Sequence, residues 1–442
     1  MGSISLSQVD DTITTGSPTF KNPWNPTPLV ESTTLSRAAG CRIFLKLENL
    51  QPSGSFKSRA MGNQILSHLR KPENAHRPVH FYASSGGNAG LAAVCAARTL
   101  GYPCTVVVPM STKPLMVTKL RRAGAADVIQ HGETFSEAGQ YMKDVVMQQS
   151  KTSSSLSTAA GTAEAEDVVK IALHPFDNEP IWEGNSTIVD ELVQQMPRPE
   201  GPAEVAVHAG RALPVDAIVC SVGGGGLLNG LVIGVERARA AKKLSGSSED
   251  LVKPVHLLAV ETKGTDSLAS ALQHEELVSL PKITSQATSL GAIRVSERTF
   301  QYAVKPPPGV QVHSTVLSDA EAARGVLRLA DEERSLVELA CGVCVEAVVG
   351  STPSSSTGKK RKYVDEGYGD DRLSAGENDE EGFSPVQSPV PSTPAASLSS
   401  KLKQLVPDLN EDSRVVIIVC GGSNVTIDMA AEWRKLLAEG WA

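Results

Sequence analysis

Short β-rich runs alternate with longer helical patterns along most of this chain, and that alternation restricts the folds open to it. A first series predicts strands at 42–47, 80–83, 105–108 and 128–130, with helices at 59–69, 89–100, 113–123 and 135–149. A second series begins after Pro175, with strands at 217–220, 257–260 and 415–420. Strand, helix and strand in succession place parallel strands in one sheet, covered by helices. The sequence therefore predicts an α/β protein with two doubly wound, mostly parallel-sheet domains.

Changes in composition suggest where the domains begin and end. Residues 1–25 are polar, rich in Ser and Thr and without periodicity, which predicts a mobile N-terminal arm. A large domain is expected to start at 26–48, a small domain to occupy 49–166, and 167–442 to complete the large domain. The stretch 351–400 combines Ser, Pro and Gly with charged runs, so its apolar surface is too small to offset its ordering entropy. We expect it to be a disordered insertion in the large domain.

Charge and cysteine content exclude several classes of partner and indicate a compartment. The net charge of −7 and the pI near 5.8 give no general attraction to nucleic acid or to an anionic membrane. Seven scattered cysteines form no disulfide pattern, no signal peptide opens the chain, and no apolar run approaches the about 20 residues that span a bilayer. We therefore expect a cytoplasmic protein. The basic run 359–362 could be a nuclear import signal, although such runs are usually solvated charge.

One lysine stands in a setting that suits covalent cofactor chemistry. Lys57 follows a tight turn of small residues, Pro52-Ser53-Gly54-Ser55-Phe56, and four consecutive glycines lie far downstream at 223–226. A lysine amine can hold pyridoxal 5'-phosphate (PLP) as a Schiff base, while unhindered glycine amides cradle its phosphate. Taken alone, Lys57 could equally be a surface lysine after a Gly-Ser turn. A Ser-x-x-Lys acyl-enzyme is excluded, because Gly54 stands three residues before the lysine.

Two glycine-rich loops lie directly after predicted strands. The loop 84–90, Ser-Ser-Gly-Gly-Asn-Ala-Gly, would offer helix N-terminal amides to an anion such as a substrate carboxylate, and Asn88 could reach a pyridoxal ring hydroxyl. A glycine-rich turn without a ligand is the alternative. The loop 221–226 is no Walker A motif, and Leu228 makes it a poor dinucleotide fingerprint. Its run of amides suits a single terminal phosphate.

A cysteine follows the last predicted strand, in Cys420-Gly421-Gly422-Ser423-Asn424. A buried thiol is usually only a small hydrophobic group. Opposite a pyridine nitrogen, however, a thiol cannot keep that nitrogen protonated as a carboxylate does, so the ring withdraws electrons less strongly. A pyridine ring that withdraws electrons weakly suits β-elimination better than transamination.

These four motifs, in this order, resemble the fold type II PLP enzymes of the tryptophan synthase β-like kind, and most closely the L-serine/L-threonine dehydratases. The similarity runs from about Asn25 to Leu437. It includes four shorter segments: Leu-Glu-Asn at 47–49, Ile-Trp-Glu-Gly at 181–184, Ala-Val-Glu-Thr at 259–262 and Ile-Thr-Ser at 283–285. Four motifs in the order of a family are far more specific than any one of them.

The resemblance implies a role for each residue that would contact PLP. Lys57 would be the Schiff-base lysine, with Phe56 over one face of the ring. Asn88 would bond the ring hydroxyl, and Cys420 would face the ring nitrogen. The phosphate would be held by the loop residues Gly223, Gly224, Gly225, Gly226 and Leu227.

The resemblance also implies a substrate site and a cation site. Ser85, Gly86 and Asn88 would hold the substrate carboxylate. This family often binds a monovalent cation such as K+ through a glutamate and nearby oxygens, which here would be those of Glu261, Thr265, Leu290 and Ala292. Two positions depart from the family pattern, since Leu339 stands where proline is common and Ser289 where a small apolar residue often faces the ring.

The activity that the resemblance implies is β-elimination from a small amino acid. Lys57 would remove the Cα proton of L-serine, the β-hydroxyl would leave, and the released enamine would hydrolyse to pyruvate and ammonia. L-Threonine would give 2-oxobutyrate by the same path. A homodimer that serves amino-acid catabolism or gluconeogenesis is the expected context.

Two other kinds of function stay open on the sequence. Another enzyme of the same fold, such as a serine racemase or a cysteine synthase, would share these motifs, although racemases of this fold carry a serine where Gly86 stands. A non-catalytic nuclear interaction protein could keep the fold as a scaffold, although the intact Lys57 argues against it. Cys341 and Cys344 have a redox-like or zinc-like spacing, but their surroundings predict a buried helix.

Overall fold

The strands of the protein form two separate sheets. The computed structural model describes residues 20–149, 168–208, 211–244, 253–350 and 400–442. The strands in these ranges are β1 (Leu29–Glu31), β2 (Arg42–Lys46), β3 (Val79–Ala83), β4 (Cys104–Val108), β5 (Asp127–Gln130), β6 (Val169–Leu173), β7 (Ala217–Ser221), β8 (Val255–Thr262), β9 (Val310–Leu317) and β10 (Arg414–Ile418).

The larger sheet has six strands in the order β1-β2-β10-β7-β8-β9, and the smaller has four in the order β5-β4-β3-β6. Every pairing is parallel except that of β1 with β2. Parallel neighbours need crossover connections, which the helices supply. The predicted α/β class with two mostly parallel sheets is therefore confirmed.

Helices occupy most of the chain between the strands. They are α1 (Thr33–Ala39), α2 (Lys57–Leu69), α3 (Asn88–Thr99), α4 (Pro114–Ala123), α5 (Phe135–Tyr141), α6 (Glu179–Gln195), α7 (Gly201–His208), α8 (Gly226–Leu244), α9 (Ser267–His274), α10 (Glu297–Val304), α11 (Asp319–Glu333), α12 (Leu339–Val349), α13 (Lys401–Leu405) and α14 (Ile427–Ala438). Many begin at a Ser, Thr or Asn whose side chain accepts a backbone N–H of the first turn: Ser32, Thr134, Asn178, Ser296, Ser318, Ser400 and Thr426. In the described part of the chain, no helix is long and apolar enough to cross a membrane.

The larger sheet lies in the main hydrophobic core. Every residue of β7 and β10 is buried, as expected of central parallel strands covered on both faces. Helix α12 packs into the same core and is buried at every position from Leu339 to Val348. Cys341 and Cys344 lie on this helix as free thiols, so the prediction of a buried helix is confirmed.

The boundary between the domains differs from the predicted one. Strand β6 pairs with β3 in the smaller sheet, from Val79 opposite Val169 to Ala83 opposite Leu173. The small domain therefore extends through Leu173, and the predicted boundary at residue 166 falls one strand too early. At the other end of the chain, Phe20 and Trp24 fall within the predicted arm 1–25 but pack against the globular body.

The predicted insertion lies almost wholly outside the described residues, which stop at Gly350 and resume at Ser400. Those two residues are adjacent in space. A Cβ atom at Gly350 would lie 3.2 Å from the Cα of Ser400. A very short connection could therefore join α12 to α13.

Replacing residues 351–399 with a short Gly/Ser linker should leave the fold and cofactor binding nearly unchanged. By the logarithmic dependence of closure entropy on length, a loop of about 50 residues and one of about 12 differ by only about 1.3 kcal/mol. Thermal unfolding and PLP titration of the variant and the full chain check this prediction. A variant that binds no PLP, or that unfolds at a much lower temperature, would show that the segment is an integral part of the fold.

Candidate active site

Lys57 lies where the two domains meet, at the first residue of α2. The turn before it passes the carboxyl end of β10, where Ser55 forms a β-bridge with Gly421 and the Phe56 amide donates to the Cys420 carbonyl at 3.2 Å. Ligands of open α/β sheets bind in the crevice outside the carboxyl ends of the strands. The local backbone pairing thus holds the lysine at the edge where a cofactor site is expected.

The environment of the Lys57 amine favours its neutral form. Its Nζ donates to the Pro175 carbonyl at 3.1 Å and lies 5.2 Å from the centre of the Phe56 ring. Burial lowers the pKa of Lys57 to about 8, an effect that nearby Cys420 partly opposes. A neutral amine, the form that attacks a carbonyl carbon, is therefore accessible near physiological pH.

A buried ionic network fixes the helix that carries Lys57. Arg59 is fully buried and donates from both Nε and Nη2 to the Glu48 carboxylate, at 2.8 Å each. Its Nη1 donates to Glu191 at 2.6 Å. Lys46 also donates to Glu191, and Thr27 donates to Glu48 at 2.6 Å. Because Glu48 lies in the turn after β2 and Glu191 on α6, the network ties the start of α2 to the larger domain.

The tetraglycine loop joins β7 to α8 and leaves no room for side chains. A Cβ at Gly224 would lie 2.2 Å from the Phe176 ring, and one at Gly225, whose φ is +90°, would lie 1.9 Å from Oγ1 of Thr299. A Cβ at Gly223 would meet the backbone of Leu290 at 3.0 Å. The first amides of α8 have no acceptor within the helix, so this cradle of bare backbone suits an anion.

The second glycine-rich loop leads from β3 into α3, which begins at Asn88. A Cβ at Gly90 would lie 1.8 Å from the Ser85 carbonyl oxygen, so only glycine lets the loop fold back on the helix. The Ser85 hydroxyl accepts the Gly87 amide at 3.3 Å. Gly86 faces the side chain of Thr112, whose Cγ2 would be 2.7 Å from an added Cβ. The loop thus presents backbone and small side chains at a helix N-terminus.

Asn88 bridges the two domains through both ends of its carboxamide. Its Nδ2 donates to Glu338 at 3.0 Å and to the Ser289 hydroxyl at 3.3 Å. Its Oδ1 accepts the Ser423 amide at 2.9 Å. The Ser423 hydroxyl in turn donates to the Ser53 carbonyl at 3.0 Å. Asn88 is therefore connected to both the turn before Lys57 and the loop after Cys420.

Cys420 is buried at the end of β10, next to the tetraglycine loop. Its Sγ lies 3.6 Å from the Ser221 hydroxyl. Burial raises the pKa of Cys420 to about 11, although Ser221 lowers it in part. The group is therefore a neutral thiol at physiological pH. A neutral thiol is what the sequence predicted opposite a pyridine nitrogen that stays unprotonated.

Comparison with known proteins decides the family. Residues 21–361 match the family model described as pyridoxal-phosphate dependent enzyme. The chain belongs to the PLP-dependent enzymes. Its relatives include the catabolic L-serine/threonine dehydratase of Saccharomyces cerevisiae, 38% identical over 323 residues, which are 73% of this chain and 79% of the yeast protein. The L-serine dehydratase/L-threonine deaminase of Mus musculus is 34% identical over 402 residues, 91% of this chain and 92% of the mouse protein.

Solved structures share the architecture of this PLP-dependent enzyme. A fungal L-serine ammonia-lyase from Rhizomucor miehei superimposes with a TM-score of 0.65 at 25% identity, covering 94% of this chain and 99% of that one. Maize serine racemase gives a TM-score of 0.59 at 18% identity, covering 94% of this chain and 93% of the racemase, a likeness of fold alone. The fold type II architecture that the sequence predicted is confirmed.

The residues of this crevice fit PLP. The structure connects Lys57, Asn88, Cys420 and both glycine-rich loops through the contacts described above. In the tetraglycine loop, neighbouring residues already fill the space that a Cβ atom would need, so only glycines fit there. One residue of the crevice was missed as a site residue by the sequence analysis. Glu338, directly before the buried helix α12, is only 6% exposed, and a charge at the start of a predicted buried helix was its sequence signal.

The predicted cation residues have other partners in the structure. Both oxygens of the fully buried Glu261 accept amides from the first turn of α9, Leu268 and Ala269, at 2.8 Å each. Burial raises the pKa of Glu261 to about 8. The Thr265 hydroxyl lies 2.7 Å from that of Thr262, and the carbonyl of Leu290 accepts the Ala292 amide at 2.7 Å. The described ranges contain no metal-binding cluster of three or more His, Cys, Asp or Glu, and the K+ site stays a prediction.

Proposed function

We propose that this PLP-dependent enzyme is a dehydratase that converts L-serine to pyruvate and ammonia, with L-threonine as a second substrate giving 2-oxobutyrate. Yeast and mouse relatives at 38% and 34% identity carry the names of serine and threonine dehydratases. The observation that carries the proposal is the neutral thiol of Cys420. Its Sγ lies 3.6 Å from the Ser221 hydroxyl, and its carbonyl accepts the amide of Phe56, in the turn that holds Lys57. A thiol at the ring nitrogen favours expulsion of a β-substituent over transamination.

Each residue of the crevice would have a different role in this reaction. PLP, when bound, withdraws electron density from the substrate α-carbon. Lys57 would hold the cofactor covalently and then take the Cα proton as a base, because its lowered pKa leaves the amine partly neutral. Phe56 would cover one face of the ring, and Cys420 would face its nitrogen. The Cα proton and the β-hydroxyl would together be lost as one molecule of water, and the released enamine would take up water to give the 2-oxo acid and ammonia.

Anionic groups would be held by backbone amides at two helix N-termini. The amides of Gly223 to Leu227, at the start of α8, would bind the phosphate. Ser85, Gly86 and Asn88, at the start of α3, would bind the substrate carboxylate. The Asn88 carboxamide would also bond the ring oxygen of the cofactor. By these assignments the substrate would lie between Lys57 and the loop 84–90.

Release of 2-oxo acid from L-serine, L-threonine and D-serine, with and without K+, tests the proposed function. We expect product from L-serine and L-threonine, none from D-serine, and a faster reaction with K+. D-Serine formed from L-serine without 2-oxo acid would favour a racemase instead. No turnover of any of them by protein that has bound PLP would contradict the dehydratase. An unchanged rate without K+ would refute only the cation site at Glu261, Thr265, Leu290 and Ala292.

Gly86→Ser should add measurable racemisation of L-serine, because it supplies a hydroxyl where racemases of this fold carry one. The added Cβ would crowd Thr112 at 2.7 Å, so the paired variant with Thr112→Ala gives the serine room. Gly87→Ser is the matched control, since a Cβ there meets nothing closer than 3.9 Å. Chiral chromatography of the products measures the outcome. An efficient dehydratase that forms no D-serine in the paired variant would show that Gly86 does not set the reaction type.

The assembly and location of the enzyme follow as further parts of the proposal. We expect a homodimer in the cytoplasm that binds no nucleic acid, in keeping with the net charge of −7. Light scattering during size-exclusion chromatography measures the mass in solution. A monomeric mass at working concentration would contradict the dimer.

A further inference from the structure

The carboxylate of Glu338 collects hydrogen bonds from three separate segments at the crevice. Oε1 accepts Nδ2 of Asn88 at 3.0 Å and the backbone amide of Asn424 at 2.7 Å. Oε2 accepts the hydroxyl of Ser289. Glu338 lies at the start of α12 and makes no side-chain cap to that helix, so its side chain serves the crevice rather than its own helix.

These contacts determine which way the Asn88 carboxamide faces. A carboxylate only accepts hydrogen bonds, whereas the carboxamide has a donating nitrogen and an accepting oxygen. Glu338 therefore selects the orientation with Nδ2 toward itself. The Ser423 amide reinforces the same choice by donating to Oδ1 at 2.9 Å. Nδ2 carries two hydrogens, and the contact with Ser289 at 3.3 Å is the longer of its two bonds.

We propose that Glu338 is a positioning residue that acts through Asn88. By accepting one hydrogen of Nδ2, it fixes the orientation in which the other hydrogen, which the Ser289 hydroxyl accepts at 3.3 Å here, would be offered to the ring oxygen of PLP. Ser289 holds the carboxylate in place by donating to its other oxygen. The proposal rests on the assignment of Asn88 to the ring oxygen made above. It also gives Ser289 a function that the small apolar residue common in this family could not perform.

A double-mutant cycle on the affinity of the full-length protein for PLP tests the proposal. The four proteins are the parent, Glu338→Ala, Asn88→Ala and the combination, each titrated with PLP by absorbance and fluorescence. We expect Glu338→Ala to weaken PLP binding by about tenfold or more in the parent, as for loss of a hydrogen bond to a charged group. In the Asn88→Ala background it should change the affinity by less than about twofold, because residues that act through one contact are not additive.

Two further variants separate positioning from a merely structural role. Glu338→Gln keeps an oxygen that can face Asn88 and should recover most of the affinity. Ser289→Ala should weaken binding a few-fold in the parent and have no effect in the Asn88→Ala background. If Glu338→Ala proves too unstable to purify, the Ser289→Ala cycle decides the question. Thermal unfolding of each protein reports losses of stability separately from these changes in affinity.

Equal losses from Glu338→Ala with and without the Asn88 side chain would overturn the proposal, as would a Glu338→Gln variant no better than Glu338→Ala. Additive effects of Ser289→Ala and Asn88→Ala would do the same. PLP affinity is measured without any substrate. A protein that shows the coupling but releases no 2-oxo acid would therefore contradict the proposed function and leave the role of Glu338 standing.

Discussion

Lys57→Ala should yield a folded protein that has lost its covalently held cofactor and its turnover. We assign to this amine both the bond to PLP and the removal of the Cα proton, and loss of a general base alone reduces a rate by about 10²- to 10⁴-fold. We therefore expect at least about a 1,000-fold loss of 2-oxo acid release and no visible absorbance band from bound PLP.

The fold should survive this change, because Lys57 contributes little to it. Its amine makes one hydrogen bond, to the Pro175 carbonyl, and burial disfavours its charged form. Lys71→Ala, an exposed position just beyond the other end of α2, is the matched control and should keep both the band and the activity. Substantial dehydratase activity in purified Lys57→Ala would contradict the assignment of this lysine.

Glu48→Ala should strongly destabilise the protein, because it leaves the buried Arg59 with one of its two carboxylate partners. Glu48 and Arg59 are both fully buried and share two hydrogen bonds of 2.8 Å. Removing one partner of a buried ion pair typically lowers the free energy of unfolding by about 3–5 kcal/mol. Thr27 and Gln51, which donate to Glu48 at 2.6 and 3.1 Å, would lose their acceptor as well.

Urea denaturation of the protein without PLP measures this effect. Asp331→Ala supplies the matched control, because it removes an equally short pair with Arg434 that is more than half exposed. An exposed pair is worth about 0–1 kcal/mol. Similar losses in the two variants would show that burial of the Arg59 network does not matter to the fold.

The sequence was most informative where one segment determined its own structure. Central strands such as β7 and β10 contain apolar runs, Ala217 to Cys220 and Val415 to Ile418, because both of their faces are covered. The edge strand β9 was not predicted, since it contains Gln311, His313 and Ser314 and is only partly buried. Strand β6 was missed because its place in the smaller sheet depends on pairing with β3, 90 residues earlier by the register of Val79 with Val169.

The candidate site shows the same contrast between features set by one segment and features set by contacts between distant segments. Lys57, the tetraglycine loop and Cys420 could be proposed as site residues from the sequence, because short motifs impose their local geometry. Glu338 could not be assigned, since its role depends on Asn88, 250 residues away in the chain. The Arg59 network could not be predicted either, because its carboxylates come from the turn after β2 and from α6. Contacts between distant segments follow only from the packing of the two domains.

The site of cofactor attachment tests the central claim most directly. The protein is loaded with PLP, reduced with borohydride and digested, and the labelled peptide is identified by mass spectrometry. We predict a pyridoxyl group on Lys57 and none in the Lys57→Ala variant. A label on a different lysine, such as Lys119, whose amine donates to the Ser423 carbonyl at the same crevice, or no label on any lysine, would contradict the claim.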